Sequence, residues 1–93
     1  MRLKDKVAIV TGSGRGIGEG IVLRFAEEGA KIVVADFADG AAVVAEVTAR
    51  GGQAVYVKVD VTNLESCQNM VAKAKEAFGR IDILINNAGI TKD

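Results

Sequence analysis

The feature that most constrains the fold is a set of four glycines that alternate over residues 12–18. The apolar run before them, residues 7–10, consists mostly of β-branched residues, as in a strand covered on both faces. After them, apolar residues recur at helical spacing as far as Gly29, a residue type that often ends a helix. A strand, a tight turn and a helix are therefore predicted, with the backbone of the turn open to a ligand.

The rest of the chain repeats this alternation of short apolar runs and helical patterns. Further strands are predicted at 31–36, 54–57 and 83–85, and a second helix from about 39 to 50. A third helix is predicted from a capping box at 62–65 and from an apolar stripe, formed by Leu64, Cys67, Val71, Ala74 and Phe78. The order βαβαβαβ predicts an α/β fold, a three-layer Rossmann-like half with a parallel sheet. By analogy with doubly wound folds, the expected strand order is 3-2-1-4.

Composition excludes several classes of function. Twelve basic and twelve acidic residues cancel, so we expect no binding to nucleic acid or to an anionic membrane surface. The single cysteine, Cys67, cannot form an intrachain disulfide, and without any histidine a zinc site of the usual kind is not expected. The chain has no apolar run of membrane-spanning length and no segment of signal-peptide type. A cytoplasmic location is therefore expected, with Cys67 as a buried apolar side chain.

The spacing of the glycines distinguishes between nucleotide-binding motifs. Ile17 stands where G-x-G-x-x-G requires its third glycine, and no Gly-Lys-Ser/Thr of a P-loop is present. The stretch 11–18 instead reads Thr-Gly-x-x-x-Gly-x-Gly. Asp60-Val61 follows the third predicted strand, and Asn-Asn-Ala-Gly follows the fourth at 86–89. Together these motifs resemble the short-chain dehydrogenase/reductase family, and the chain is similar in particular to 3-oxoacyl-[acyl-carrier-protein] reductases.

This resemblance implies that residues 1–93 form the N-terminal half of a Rossmann dinucleotide-binding domain, truncated before its catalytic region. The implied ligand is the ADP portion of NAD, with NADP less favoured. The expected cofactor-binding residues are Gly12, Ser13, Arg15, Gly16, Ile17, Gly18, Asp36, Asp60, Val61, Asn87, Ala88 and Gly89.

Three of these residues allow a reading from their chemistry. Asp36 lies 18 residues after Gly18 at the end of the second strand, where a carboxylate can bind both ribose hydroxyls and repel a 2′-phosphate; an ordinary turn residue at the strand end is the alternative. Arg15 points the other way, because related enzymes with a basic residue there often use NADP; a solvated loop charge is the alternative. Asp60 either contacts the adenine ring or caps the loop before the third helix.

Two residues of the last motif also have a structural alternative. Asn87 either supports the cofactor or only pins neighbouring strands through its amide group. In the resembling family the backbone of Ala88 and Gly89 packs against the adenosine ribose.

The catalytic residues of the resembling family are not found in this sequence. Its only tyrosine, Tyr56, has Asp60 rather than lysine four positions on, and Ser13 and Ser66 lie in the glycine turn and the third helix. Hydride transfer of this kind needs a phenol and a neighbouring ammonium group. We therefore expect no catalytic residue, no metal site and no turnover by this chain alone.

Two other readings stay open. The chain could be a self-assembling fold fragment with an empty nucleotide site, or part of an NAD(P)-dependent oxidoreductase acting on a carbonyl or alcohol when the missing half is present. The fourth strand is expected to be an apolar edge, so the sequence predicts a homodimer formed by pairing fourth strands.

Overall fold

The computed structural model describes residues 2–14 and 16–87, in which helices and strands alternate as the sequence predicts. The elements are β1 (Val7–Thr11), α1 (Gly16–Glu27), β2 (Lys31–Asp36), α2 (Ala41–Ala49), β3 (Gln53–Lys58), α3 (Leu64–Phe78) and β4 (Ile83–Ile85). Within the described ranges the four strands form one sheet in the order β3-β2-β1-β4, and every neighbouring pair is parallel. The predicted α/β class, element order and strand order are confirmed.

The sheet is covered on both faces, which gives the three layers expected from the sequence. Because successive side chains of a strand point to opposite faces, Ala8 and Val10 of β1 pack with α1 and α2, whereas Ile9 packs with α3. Val22 of α1 and Met70 of α3 are central side chains of the two layers and are 0% and 4% exposed. Two separate apolar layers therefore pack against the central strands β1 and β2. The carboxyl ends of these strands carry the glycine turn and Asp36.

Helix α3 begins one residue later than a capping box on Thr62 predicts. The N-cap is Asn63, whose Oδ1 accepts a hydrogen bond of 2.8 Å from the Ser66 backbone N–H. The Thr62 hydroxyl instead donates to the Asp60 carboxylate at 2.6 Å, a bond within the loop before the helix. Competition between two local acceptors, which the sequence pattern does not rank, decides which residue caps the helix.

The apolar stripe of α3 also differs from the prediction at its first position. Leu64 is 75% exposed, whereas Met70, which the predicted stripe does not include, is buried. Cys67, expected to be buried, is only partly buried and packs at the margin of the α3 layer. The start of α3 therefore projects beyond the sheet rather than covering it.

Within the described residues, strand β4 lies at one edge of the sheet and has β1 as its single partner. Ala8, Ile9 and Val10 are paired with Ile83, Leu84 and Ile85 respectively. Asp82, just before the strand, accepts a hydrogen bond of 2.9 Å from the Val7 backbone N–H and fixes this pairing at its start. Leu84 is 56% exposed, so the described part of the chain has the apolar edge that the sequence predicts.

None of the helices in residues 2–14 and 16–87 combines the length and the apolar character needed to cross a bilayer.

Candidate functional site

The glycine turn follows β1 at the carboxyl edge of the sheet. Gly12 and Gly16 have φ angles of 65° and 63°, in the left-handed region that strains residues with a Cβ atom. These two residues turn the chain sharply from the sheet into α1. Arg15, one of the predicted site residues, lies outside the described residues.

Ser13 holds this turn to the sheet. Its hydroxyl donates to the Val10 carbonyl at 2.5 Å and accepts from the Ala35 N–H at 3.2 Å, and the residue is 0% exposed. The Ser13 backbone N–H also donates to the Ala35 carbonyl. The hydroxyl and the backbone N–H of Ser13 thus both donate inside the protein. Ser13 therefore anchors the glycine turn to the neighbouring strands β1 and β2.

Gly18 is required because the turn packs directly on the first part of α1. A Cβ atom at Gly18 would overlap the Gly12 carbonyl group and would lie 2.8 Å from Nδ2 of Asn87. The same Nδ2 donates to the Gly12 carbonyl at 3.2 Å, and Asn87 is 5% exposed. Of the two roles left open for Asn87, this contact supports the structural one, because the amide ties the segment after β4 to the glycine turn.

The start of α1 is exposed as far as the described residues show. Among them, nothing lies within 4 Å of a Cβ atom built on Gly16, and Ile17 is 69% exposed. The first N–H groups of a helix have no partner within the helix and carry a partial positive charge. This end of α1 therefore has the donors and the partial charge suited to an anionic group.

Asp36 joins the glycine turn to the end of β2. Its Oδ2 accepts a hydrogen bond of 2.8 Å from the Gly14 backbone N–H, and its Oδ1 accepts one of 3.1 Å from the Ala38 N–H. Asp36 is 8% exposed, and a Cβ atom at Gly14 would lie 2.9 Å from its Oδ2. The structure thus brings together Asp36 and the glycine turn, although 22 residues separate Asp36 from Gly14.

Asp60 and Val61 follow β3 on the other side of β2. The Val59 N–H donates to the Asp36 carbonyl at 3.1 Å, which places this segment beside the end of β2. The Asp60 carboxylate accepts hydrogen bonds from the Thr62 hydroxyl and backbone N–H, and these bonds lower the pKa of Asp60. These bonds support the capping role of Asp60, whereas Val61 is 40% exposed and free to contact a ligand.

Sequence reasoning gave no role to Phe37, one of several exposed apolar side chains at this edge. Among the described residues, the large apolar side chains that are exposed and follow the carboxyl ends of β1, β2 and β3 are Ile17, Phe37, Val61 and Leu64. Phe37 also carries the ammonium group of Lys58 over its ring, 4.9 Å from the centroid. Phe37 could have been found from the sequence, since it directly follows a buried strand that ends in a carboxylate.

Sequence reasoning also gave no role to Tyr56 on β3. Its hydroxyl lies 3.1 Å from the Asp36 carbonyl and 2.8 Å from the Ala38 carbonyl. Ala88 and Gly89, the last two predicted site residues, lie outside the described residues. Within residues 2–14 and 16–87, no group of three or more acidic or cysteine side chains is arranged to hold a metal ion.

Comparisons with known proteins agree with this geometry. A family model described as short chain dehydrogenase matches residues 6–93. The chain is 48% identical over 91 residues to 2,5-dichloro-2,5-cyclohexadiene-1,4-diol dehydrogenase LinX from Sphingobium indicum, covering 96% of the chain and 36% of that protein. It is 43% identical to a 3-oxoacyl-[acyl-carrier-protein] reductase from Synechocystis, covering 98% of the chain and 38% of the relative. The predicted resemblance is confirmed, and the chain spans little more than a third of these relatives.

A solved structure has the same fold. The short chain dehydrogenase/reductase from Burkholderia phymatum, determined in complex with NAD, superimposes with a TM-score of 0.85 at 35% identity, covering 90% of this chain and 31% of that one.

Proposed function

The chain belongs to the short-chain dehydrogenase family, and we propose that it binds the ADP portion of NAD at the carboxyl edge of its sheet. On this proposal residues 1–93 are the N-terminal half of a Rossmann dinucleotide-binding domain. The observation that carries the proposal is the hydrogen bond between the Asp36 carboxylate and the Gly14 N–H. This bond places a group suited to sugar hydroxyls directly beside a turn suited to phosphates.

The diphosphate is proposed to lie above the start of α1. Gly16 and Ile17 leave this surface open, and Gly12 and Gly18 let the backbone pack closely beneath it. The free N–H groups of the first helical turn then donate to the phosphate oxygens, and the helix dipole favours their negative charge. Ser13 supports this arrangement by fixing the turn, and Arg15 is proposed to lie near the phosphates.

The adenosine is proposed to lie across the ends of β2 and β3. The Asp36 carboxylate accepts hydrogen bonds from the ribose hydroxyls, and its charge repels a 2′-phosphate, which favours NAD over NADP. The adenine ring contacts Val61 and the backbone at Asp60. Asn87, Ala88 and Gly89 complete the site from the segment after β4, with Asn87 acting through the Gly12 carbonyl.

The 93-residue chain by itself is proposed to have no dehydrogenase activity. A catalytic phenol must transfer its proton to the substrate oxygen and needs a neighbouring ammonium group. The Tyr56 hydroxyl instead donates to backbone carbonyls of the segment after β2. In a longer protein that contains this segment, the site would serve an NAD(P)-dependent oxidoreductase acting on a carbonyl or an alcohol.

Calorimetric titration of the chain with NAD, ADP-ribose and NADP tests the proposed binding. We expect NAD and ADP-ribose to bind with similar weak affinity, because both carry the ADP portion, and NADP to bind more weakly. Absence of heat and of amide chemical-shift changes at millimolar ligand would overturn the proposal. Absence of a change in NADH absorbance with carbonyl substrates is expected for the chain alone; a steady decrease would contradict the proposed inactivity.

A second proposal concerns self-association through β4. In the described part of the chain β4 has β1 as its partner on one side, and Leu84 on this strand is 56% exposed. An apolar edge strand is a template for pairing with another strand. Two copies that pair their β4 strands about a two-fold axis would form one eight-stranded sheet, and such a dimer could leave the nucleotide site empty if it covers the cleft.

A further inference from the structure

The Tyr56 hydroxyl bridges β3 and the segment that follows β2. Its proton is shared between the carbonyl oxygens of Asp36, at 3.1 Å, and Ala38, at 2.8 Å. These carbonyls belong to residues two apart, so a single side chain holds the backbone on both sides of Phe37. The segment 36–38 is therefore fixed from outside by the phenol.

The same segment is fixed from inside by the Asp36 carboxylate. Its Oδ1 accepts the Ala38 N–H at 3.1 Å, while its Oδ2 accepts the Gly14 N–H at 2.8 Å. The conformation of the carboxylate thus depends on where the Ala38 peptide groups lie. The Tyr56 hydroxyl donates to the Ala38 carbonyl, and the Ala38 N–H donates to the Asp36 carboxylate. Loss of the Tyr56 bond should therefore affect the carboxylate through Ala38.

The ring of Tyr56 occupies space that is free because residue 40 is a glycine. A Cβ atom at Gly40 would lie 2.8 Å from Cδ1 and 3.2 Å from Cε1 of the ring. Tyr56 is also the partner of Val34 across the sheet, two residues before Asp36. The register of β3 and the absence of a side chain at Gly40 together place the Tyr56 hydroxyl beside segment 36–38.

The phenol remains a donor at any ordinary pH. Burial raises the pKa of Tyr56, and the nearby carboxylates of Asp39 and Asp36 raise it further. A protonated hydroxyl facing two carbonyls is the form that the geometry requires.

We propose that Tyr56 is a positioning residue for ribose recognition, which holds segment 36–38 so that the Asp36 carboxylate stays where the sugar hydroxyls bind. This inference rests on the proposed function, because it deepens the role given there to Asp36. Tyr56 itself touches no ligand. Its effect on binding therefore passes through the carboxylate and should be seen only with ligands that carry the ribose hydroxyls.

The test is Tyr56→Phe, which removes the hydroxyl and keeps the ring, with ADP and 2′,3′-dideoxy-ADP as ligands. Affinity for ADP is expected to fall about twofold to tenfold, the effect of one ordinary hydrogen bond, and affinity for 2′,3′-dideoxy-ADP, which lacks both sugar hydroxyls, to stay unchanged. In an Asp36→Ala background, Tyr56→Phe should change neither affinity, since the carboxylate through which it acts is gone. An equal loss for both ligands, or a full loss in the Asp36→Ala background, overturns the inference.

Amide hydrogen exchange in the free protein tests the same contact without any ligand. Tyr56→Phe is expected to speed exchange of the Ala38 N–H about twofold to tenfold and to leave the Val10 N–H, in the central strand, unchanged. Unchanged exchange at Ala38 overturns the inference even if nucleotides bind. If the unmodified chain binds no ADP, the proposed function fails, and exchange at Ala38 still decides whether Tyr56 positions the segment.

Discussion

The carboxylate of Asp36, at the end of β2, accepts a hydrogen bond of 2.8 Å from the backbone N–H of Gly14 in the turn after β1. The bond connects the ends of neighbouring parallel strands, whose residues Thr11 and Ala35 are paired in the sheet. The carboxylate proposed to bind the sugar and the turn proposed to bind the phosphates are thereby held at a fixed separation by the protein itself. Such preorganisation lowers the ordering cost of binding.

Replacing Asp36 by Asn is predicted to reduce the preference for NAD over NADP about tenfold or more. The amide has nearly the same shape, but it loses the charge that strengthens the ribose hydrogen bonds and repels a 2′-phosphate. Calorimetric affinities for both dinucleotides measure the ratio. Asp39→Asn is the matched control, because Asp39 lies three residues away and its carboxylate accepts the Ala41 N–H at 2.9 Å. An equal change in both variants would indicate a general field effect and contradict the proposed contact.

Gly18→Ala is predicted to destabilise the fold by about 1–3 kcal/mol, as overpacking does in a rigid interior. The added methyl group would overlap the Gly12 carbonyl and crowd Asn87. Gly20→Ala, two residues further along α1, is the control, since nothing lies within 4 Å of a Cβ atom there. It should stabilise the chain by about 0.5–1 kcal/mol, because alanine favours a helix interior over glycine. Urea denaturation of both variants measures the difference, and similar midpoints would show that the turn does not pack on α1.

The hydrogen bonds of Asp82 predict a loss of stability in acid. The Arg80 side chain and the Val7 N–H both donate to its carboxylate and lower its pKa from the ordinary 3.8. A carboxyl whose pKa is lower in the folded state stabilises the fold above its unfolded pKa, and this contribution disappears as the pH falls through the folded pKa. Stability should therefore decrease as the pH falls below about 4.

Asp82→Asn separates this contribution from those of other carboxyls. The variant should be less stable than the unmodified chain near neutral pH, and the two should converge in acid, where Asp82 is protonated in both states. Thermal unfolding at a series of pH values gives the comparison. Asp60→Asn is the control for a carboxyl with a lowered pKa that lies at the other end of the sheet. A difference for Asp82→Asn that stays constant with pH would rule out the ionic contribution.

Leu84→Lys is predicted to weaken self-association about tenfold or more, because burial of an exposed leucine at a two-fold interface would be replaced by two like charges. Sedimentation velocity over a range of concentrations measures the change in mass. Leu64→Lys is the control, since Leu64 is 75% exposed but lies on α3 rather than on the edge strand. A chain that is already monomeric, or equal effects of both substitutions, would contradict pairing through β4.

Most of the fold could be predicted from the sequence because the signals are strong and local. Runs of β-branched residues such as 31–36 mark buried parallel strands, and the observed bounds of β2 are the predicted ones. The carboxyl ends of these strands must share one edge of the sheet, so Asp36 and the glycine turn could be expected to meet there. Three ordered motifs then specify the family.

What the sequence did not predict depends on competition between neighbours. Thr62 and Asn63 are both good caps; in the structure Asn63 caps the helix, and the Thr62 hydroxyl donates to Asp60. The roles of Ser13 and Tyr56 depend on contacts between residues more than 15 positions apart, namely to Ala35 and to Ala38. Local patterns carry no information about such contacts, because they depend on the register of one strand against another.

The three-residue strand β4 forms an edge of the described sheet and also separates two contacts by a fixed distance. Asp82 meets Val7 at one end of the strand, and Asn87 meets Gly12 at the other, so both contacts hold for only one alignment of the two strands. A shift of two residues along β1 would move Asn87 by roughly 6.6 Å and leave the Gly12 carbonyl without its donor. The hydrogen bond of Asp82 at the start of β4 therefore sets the alignment that lets Asn87, at its end, support the glycine turn.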